Sequence, residues 1–406
     1  MDETIAMRLA RGERVPFSDA EYARRRGLVV AAADAAGCDA LLAYGAERTG
    51  SAVQWLTGWP VTREAALLVD VRRGEAHDLM WVQFHNHVPQ AATTARVPVR
   101  WGGPSTGRTL ADALSARGVR RLGVIGPVSH RLYGHLADGG REVVDLDAAY
   151  VRARLVKSDE ELERLAAGAA LTDLAALALR DGLAEGRSDD ELLDLIERAY
   201  VPRGGTTHLH YLAITSMAEP DHANPCQWPT GRRLRAGDVV LCELSAAVDG
   251  YAGQVLRTMT MEPELTPRYA DLHAVADAAF DAVCDALRPG ATPADLVAAA
   301  GVIEKAGYTV IDDVVHGFGG GYLPPVLGSA SRPAGPLPDL TITAGMTLVV
   351  QPNVVIPGTS VGVQTGELVV VTDDGARSLH RVPRGPWTGA GGGSHPSDHD
   401  GGPHPR

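Results

Sequence analysis

The chain has 406 residues, 45% of them hydrophobic and 22% charged, and its 38 basic against 50 acidic residues leave a formal net charge of -12. That length and apolar share can bury a large core over more than one domain, and the acidic balance excludes the basic, aromatic-laced stripe of a nucleic-acid binder. No apolar run reaches the roughly 18 residues a membrane span needs, Met1–Arg14 lacks a signal-peptide core, and Cys38, Cys226, Cys242 and Cys284 make no CxxC pair, so a reducing cytoplasm is the expected setting.

In chain order, Glu21–Ala36 has helical spacing. Ala40–Ala43 and Ala66–Val69 are short apolar strands, and the amphipathic Arg108–Arg117 precedes a third at Leu122–Ile125. Their alternation predicts a sheet with covering helices, a small α/β domain over residues 1–150. A second domain, 151–387, opens with a helix capped by Ser158, with Glu161 completing a capping box, and stopped near Gly182. A second helix, Ser188–Tyr200, starts with the same chemistry and with acids in its first turn. Strands follow at His208–Ile214, Val239–Ala247 and Gln254–Met261, helices at Arg268–Leu287 and Thr292–Ala306, and strands again at Val310–Val314, Thr347–Val355 and Glu367–Thr372. Residues 388–406, rich in Gly, Pro, Ser, His and Asp, predict a disordered tail whose His395, His399 and His404 are solvated rather than ligating.

Gly250–Tyr251, Arg257–Thr258, His316–Gly317–Phe318–Gly319 and Gly345–Met346–Thr347 come in that order along the second domain. The ordered series resembles the pita-bread family of prolidase, Xaa-Pro aminopeptidase, methionine aminopeptidase and creatinase. The resemblance implies an α/β (α+β) fold: a small amino-terminal domain, then a carboxy-terminal pita-bread domain. It also implies a homodimer in which the amino-terminal domain contributes to the partner's site. Metal-binding members hold two ions with five ligands, and the resemblance sets those positions at Glu243, Gln254, His316, Gln351 and Gly366. One Glu, one His and two neutral amides cannot offset the repulsion and dehydration of two hard cations, so no metal and no other cofactor is expected. Glu367 would ligate only after a one-residue slip that turns every side chain to the other face, and is rejected.

Creatinase is the family's metal-free precedent. His222, in His222–Ala223–Asn224–Pro225 ahead of Gly237–Asp238, resembles the place of its general acid and base, and imidazole can take and return a proton near neutral pH. A lone loop histidine is otherwise ordinarily solvated. Arg63 falls where that branch uses an arginine from the partner subunit to hold a substrate carboxylate, against the alternative of a surface arginine at a strand start. Leu256 and Gln351 stand where creatinase has the glutamates for its guanidinium group. Each lost charge-assisted hydrogen bond costs about 1.5–3 kcal/mol, so a neutral or anionic substrate is expected instead.

His208 and His210 alternate around Leu209, which predicts one shared strand face. With Tyr251, Gln254, Gln351 and Gln364 they are the expected substrate contacts, a satisfied internal network being the alternative for each. Glu243 beside His316 predicts a carboxylate–imidazole pair with a raised imidazole pKa. The glycine run 317–321 lacks a phosphate-loop context, His85 and His87 fit a polar edge strand, and Cys226 is a small loop hydrophobe. The expected protein is a metal-independent enzyme in which His222, His316 and Glu243 do acid/base chemistry on a small carboxylate-bearing substrate, by resemblance the hydrolysis of a C–N bond. A lyase, isomerase, decarboxylase or cyclase, a non-catalytic peptide-binding relative, and a metallopeptidase with other ligands stay open.

Overall fold

The computed structural model describes residues 4–47 and 51–389, which divide into two compact units. The first covers residues 14–160. Its strands are β1 Ala40–Gly45, β2 Ala65–Asp70, β3 Leu79–Val82, β4 Val99–Trp101, β5 Arg121–Ile125 and β6 Glu142–Asp145. They form one sheet in the order β4-β3-β2-β1-β5-β6, with β1 antiparallel to β2 and parallel to β5. Every residue of β1 and β2 is buried, as apolar runs must be when both faces are covered. Leu41, Ala43 and Leu67 pack with Val29 and Ala33 of the helix Asp19–Ala35, and Leu42 and Leu68 pack with Leu110 and Leu114 of Thr106–Ala116. Tyr150 belongs to the first of these clusters, so the unit runs beyond residue 150.

The second unit takes residues 4–13 and 161–389. Its strands are β7 Thr206–Ser216, β8 Asp238–Val248, β9 Tyr251–Ala252, β10 Val255–Thr260, β11 Thr309–Val310, β12 Val315–Phe318, β13 Tyr322–Leu327, β14 Thr347–Val350, β15 Val354–Val355, β16 Gly366–Thr372, β17 Gly375–Ser378 and β18 Trp387–Thr388. The main sheet runs β13-β12-β14-β16-β10-β8-β7, with β9, β17 and β18 attached to β8, β16 and β10, while β11 and β15 pair separately. Helices Asp159–Asp181, Asp189–Tyr200 and Pro267–Ala286 supply buried apolar faces. Ser188 and Glu191 form a capping box, as do Thr292 and Asp295.

Three segments depart from the sequence pattern. The helix expected over Thr292–Ala306 stops at Ala299 and resumes at Val302–Lys305, divided at Ala300 and Gly301. The strand expected over Thr347–Val355 splits at Gln351–Asn353, where Pro352 has no N–H to give a ladder. The strand expected over Val310–Val314 keeps only its first residue in β11, because Asn353 Oδ1 takes the N–H groups of Ile311 and Asp312 at 2.9 and 2.7 Å and bends the chain there. Thr388, placed in the expected tail, pairs with Thr260 in β18, and residues 390–406 lie outside the described residues. Among the described residues no helix is long and apolar enough to cross a membrane.

Candidate active site

Register decides which side chains can meet. Glu243 of β8 is opposite Leu256 of β10, Leu256 is opposite Gly366 of β16, and Val349 of β14 is opposite both Leu368 and His316. Cross-strand partners share a face and neighbours along a strand alternate, so Glu243, Gly366 and His316 lie on one face, with Gln254 entering β10 and Gln351 leaving β14 beside them. Glu367 turns the other way. There it accepts from Arg257 Nη2 at 2.5 Å and from Ser378 Oγ at 2.6 Å.

On the shared face the side chains form a continuous chain of hydrogen bonds. Gln254 Nε2 donates to Glu243 Oε1 and, at 3.4 Å, to Gln351 Oε1. Gln351 Nε2 donates to Asp313 Oδ1 at 3.3 Å, and Tyr322 gives its hydroxyl proton to Asp313 Oδ2 at 2.8 Å. His316 is wholly buried, with Nε2 3.3 Å from Gln351 Oε1 and Nδ1 3.2 Å from Gly317 O. Both partners are acceptors, and a neutral imidazole carries one N–H, so only one of these contacts is served without proton uptake. Tyr322 stacks on the His316 ring at 4.0 Å and 14°.

Electrostatics follow from burial. Glu243 is pushed up to about 8, first by desolvation and then by the charges of Asp312 and Asp313. Asp313 is also raised, by burial and by Asp312. His316 falls to about 4 because burial penalises its cation more than Gly317 and Gln351 favour it. This corrects the expected Glu243–His316 pair: each is bonded to an amide instead, and the imidazole pKa moves down rather than up.

The donor set does not fit the metal pair of the family. Two of the five positions are neutral amides, and both are committed to neighbours. A Cβ built on Gly366 would stand 2.7 Å from Val350 O and 2.9 Å from Gln351 Cα, so a carboxylate at that position would require β14 to move. Among the described residues no group of three or more His, Cys, Asp or Glu side chains is placed to hold an ion.

The other candidates are scattered. His222 follows β7 on a loop, its N–H 3.4 Å from Thr215 Oγ1 and its Nδ1 3.7 Å from Cys226 Sγ. The loop is seated tightly, since a Cβ on Gly362 would meet Ala223 O at 2.2 Å. His208 and His210 do not share a face as expected. A register shift between Thr207 and Leu209 makes His208 the extra residue of a bulge. His208 sits edge-on to Phe318, which is itself edge-on to His316. His210, opposite Leu244, faces the helix Asp189–Tyr200 and bonds Tyr200 Oη at 2.8 Å. Tyr251, an expected substrate contact, gives its hydroxyl to Glu161 at 2.8 Å. Gln364 is buried, its backbone tied to Thr258 Oγ1. Arg63 stands exposed in the first unit, 3.9 Å from Glu47. Asp313, Tyr322 and Asn353 were missed by the sequence reading. The one signal for them was a doubled acid, Asp312–Asp313, just ahead of the strand that carries His316.

Comparison with known proteins agrees with this architecture. Residues 163–373, just over half of the chain, match the model of metallopeptidase family M24. A putative dipeptidase, YkvY of Bacillus subtilis, is 29% identical over 256 residues, 61% of this chain and 66% of its own length. A creatinase from a Bacillus species is 24% identical over 60% of this chain and 62% of its own; the chain thus matches a little under two thirds of either relative. Among solved structures, dipeptidase PepE of Mycobacterium ulcerans superposes with a TM-score of 0.76 at 24% identity, covering 92% of this chain and 99% of that one. Prolidase of Pyrococcus horikoshii gives 0.75 at 18%, over 89% and 99%. Family match and shared fold together make this chain a member of metallopeptidase family M24.

Proposed function

We propose that this chain is a metal-independent enzyme that moves protons on a small carboxylate-bearing substrate at the side-chain cluster of Glu243, Gln254, His316 and Gln351. The observation that carries this reading is Glu243. At the first ligand position of the family it is held as an acid, pushed up to about 8 by burial and by Asp312 and Asp313, and an acid whose pKa lies near working pH is suited to proton transfer. Gln254 occupies Oε1, which leaves Oε2 to carry the proton. His316, neutral at pH 7, orients Gln351, and His222 serves as the second proton-transfer group on the loop beside Gly362. By likeness to dipeptidase and creatinase relatives the reaction is hydrolysis of a C–N bond, with Arg63 from a second copy in a homodimer gripping the substrate carboxylate.

The test is elemental analysis of protein purified without added metal, followed by turnover of Xaa-Pro dipeptides and small N-substituted amino acids with and without a chelator. Substoichiometric Mn, Co and Zn with chelator-insensitive turnover is expected. Stoichiometric metal with chelator-sensitive turnover would overturn the reading.

A further inference from the structure

The loop that carries His222 is pinned to β7 at both ends. Thr215 Oγ1 accepts the backbone N–H groups of Asp221 and His222 at 3.0 and 3.4 Å and donates to Asp221 Oδ1 at 2.7 Å. At the far end Cys226 and Leu212 exchange both backbone hydrogen bonds at 3.2 Å. Arg232 braces the loop from outside through Asp221 and Asp238, each at 3.1 Å, and Ala223 is buried against Gly362. With both anchors fixed, two side chains meet across the loop: His222 Nδ1 stands 3.7 Å from Cys226 Sγ.

Which atom donates follows from the state of the thiol. A cysteine ordinarily keeps its proton to about pH 8.5, and burial with the carboxylates of Asp189 and Asp221 pushes the Cys226 thiol higher. Cys226 therefore offers S–H at neutral pH. A neutral imidazole has one bare nitrogen, a good acceptor, whereas N–H to sulfur would set the ring proton against a weak one. We infer that Cys226 is a positioning residue whose thiol donates to His222 Nδ1 and so holds the ring proton on Nε2. This rests on the reading of His222 as a proton-transfer group and fixes the form in which it meets substrate: Nε2 is a hydrogen-bond donor, and becomes a base only after the thiol contact is given up. It also departs from the expectation that Cys226 only fills space in the loop.

Nitrogen-15 NMR of the full chain with labelled histidine tests it, since protonated and bare ring nitrogens resonate far apart. The His222 signals are assigned by their loss in His222→Ala. The unaltered protein should show a bare Nδ1 and a protonated Nε2. In Cys226→Ala the ratio of that tautomer to the other should fall about 3- to 10-fold, as loss of one weak hydrogen bond implies, and kcat should fall by a like factor with KM unchanged. Cys226→Ser, which keeps a donor at that place, should restore part of both. A protonated Nδ1 in the unaltered protein, or an unchanged ratio in Cys226→Ala, would overturn the inference. The first of these is read without any variant of Cys226, so it decides even if those variants unfold. A changed ratio with turnover untouched supports the thiol contact and removes His222 from the chemistry. An unchanged ratio beside loss of turnover in His222→Ala sinks the inference and leaves the catalytic reading standing.

Discussion

At the scale of single residues, Glu243 gives the protein a pH signature that can be worked out in sign. Its folded pKa, about 8, exceeds the ordinary carboxylate value, so the folded state holds a proton that the unfolded state has lost. Stability from this group is fully present below the unfolded pKa and is lost as pH rises toward 8. His316 acts oppositely, since its folded value of about 4 makes stability rise between there and its unfolded pKa near 6.5. Above that pH Glu243, with Asp313 acting in the same direction, is the uncompensated influence. Between about pH 6.5 and 8 the melting curve of the unaltered protein should therefore fall by about 2 kcal/mol, at ~1.4 kcal/mol per pH unit, and Glu243→Gln should flatten most of that slope. Equal slopes in thermal melts of the two proteins would show that Glu243 does not hold its proton there. At the same scale, His222→Ala should reduce kcat about 10²–10⁴-fold, as loss of a general acid or base does, while leaving the melting temperature within a degree or two. Retained turnover would remove His222 from the chemistry.

At the scale of elements, the site depends on a break that the sequence only half announces. Pro352 ends β14 and frees Gln351 to bond Gln254, His316 and Asp313, and Asn353 then binds Ile311, Asp312 and Asp313 backbone groups through four hydrogen bonds of 2.7–3.3 Å when the Ile311 N–H to Asn353 O contact is included. Asn353→Ala should orphan several buried groups at about 1–3 kcal/mol each and let Asp313 drift, lowering both the denaturation midpoint and turnover. A variant as stable as the parent would show that the turn holds itself. The sequence pattern exposes the elements whose ends are written locally: Ser188 caps its helix as expected, joined by Glu191, and the helix expected to open at Thr292 does so, with Thr292 and Asp295 forming its capping box. It hides what tertiary context decides. Nothing in Thr206–Ser216 marks His208 as the bulged residue, yet that one shift sends His208 toward Phe318 and His210 to the opposite face. The positions of Glu243, Gln254, His316 and Gln351 were legible because their spacing along the chain survives. The Asp313–Tyr322 arm was not, because its members converge only through strand pairing and the turn built by Asn353.

At the scale of the whole molecule, the proposed homodimer makes a claim that activity alone can test. If Arg63 acts on the site of the other subunit, Arg63→Ala and His222→Ala impair different subunits' contributions to any one site. Each homodimer of a single variant then carries two damaged sites. In a mixed dimer with two-fold symmetry, the subunit bearing Arg63→Ala keeps His222 and receives an intact arginine from its neighbour, so one of the two sites is whole. After random exchange of equal amounts, half of the dimers are mixed and half of their sites are intact, so about one quarter of the parent activity should return. If Arg63 instead serves the site of its own chain, or serves none, mixing restores nothing beyond the average of the two variants. Subunit exchange under mild denaturant, followed by turnover measured against the mixing ratio, separates the two. A recovery that peaks at equal amounts supports delivery in trans, and a straight line between the two variants refutes it.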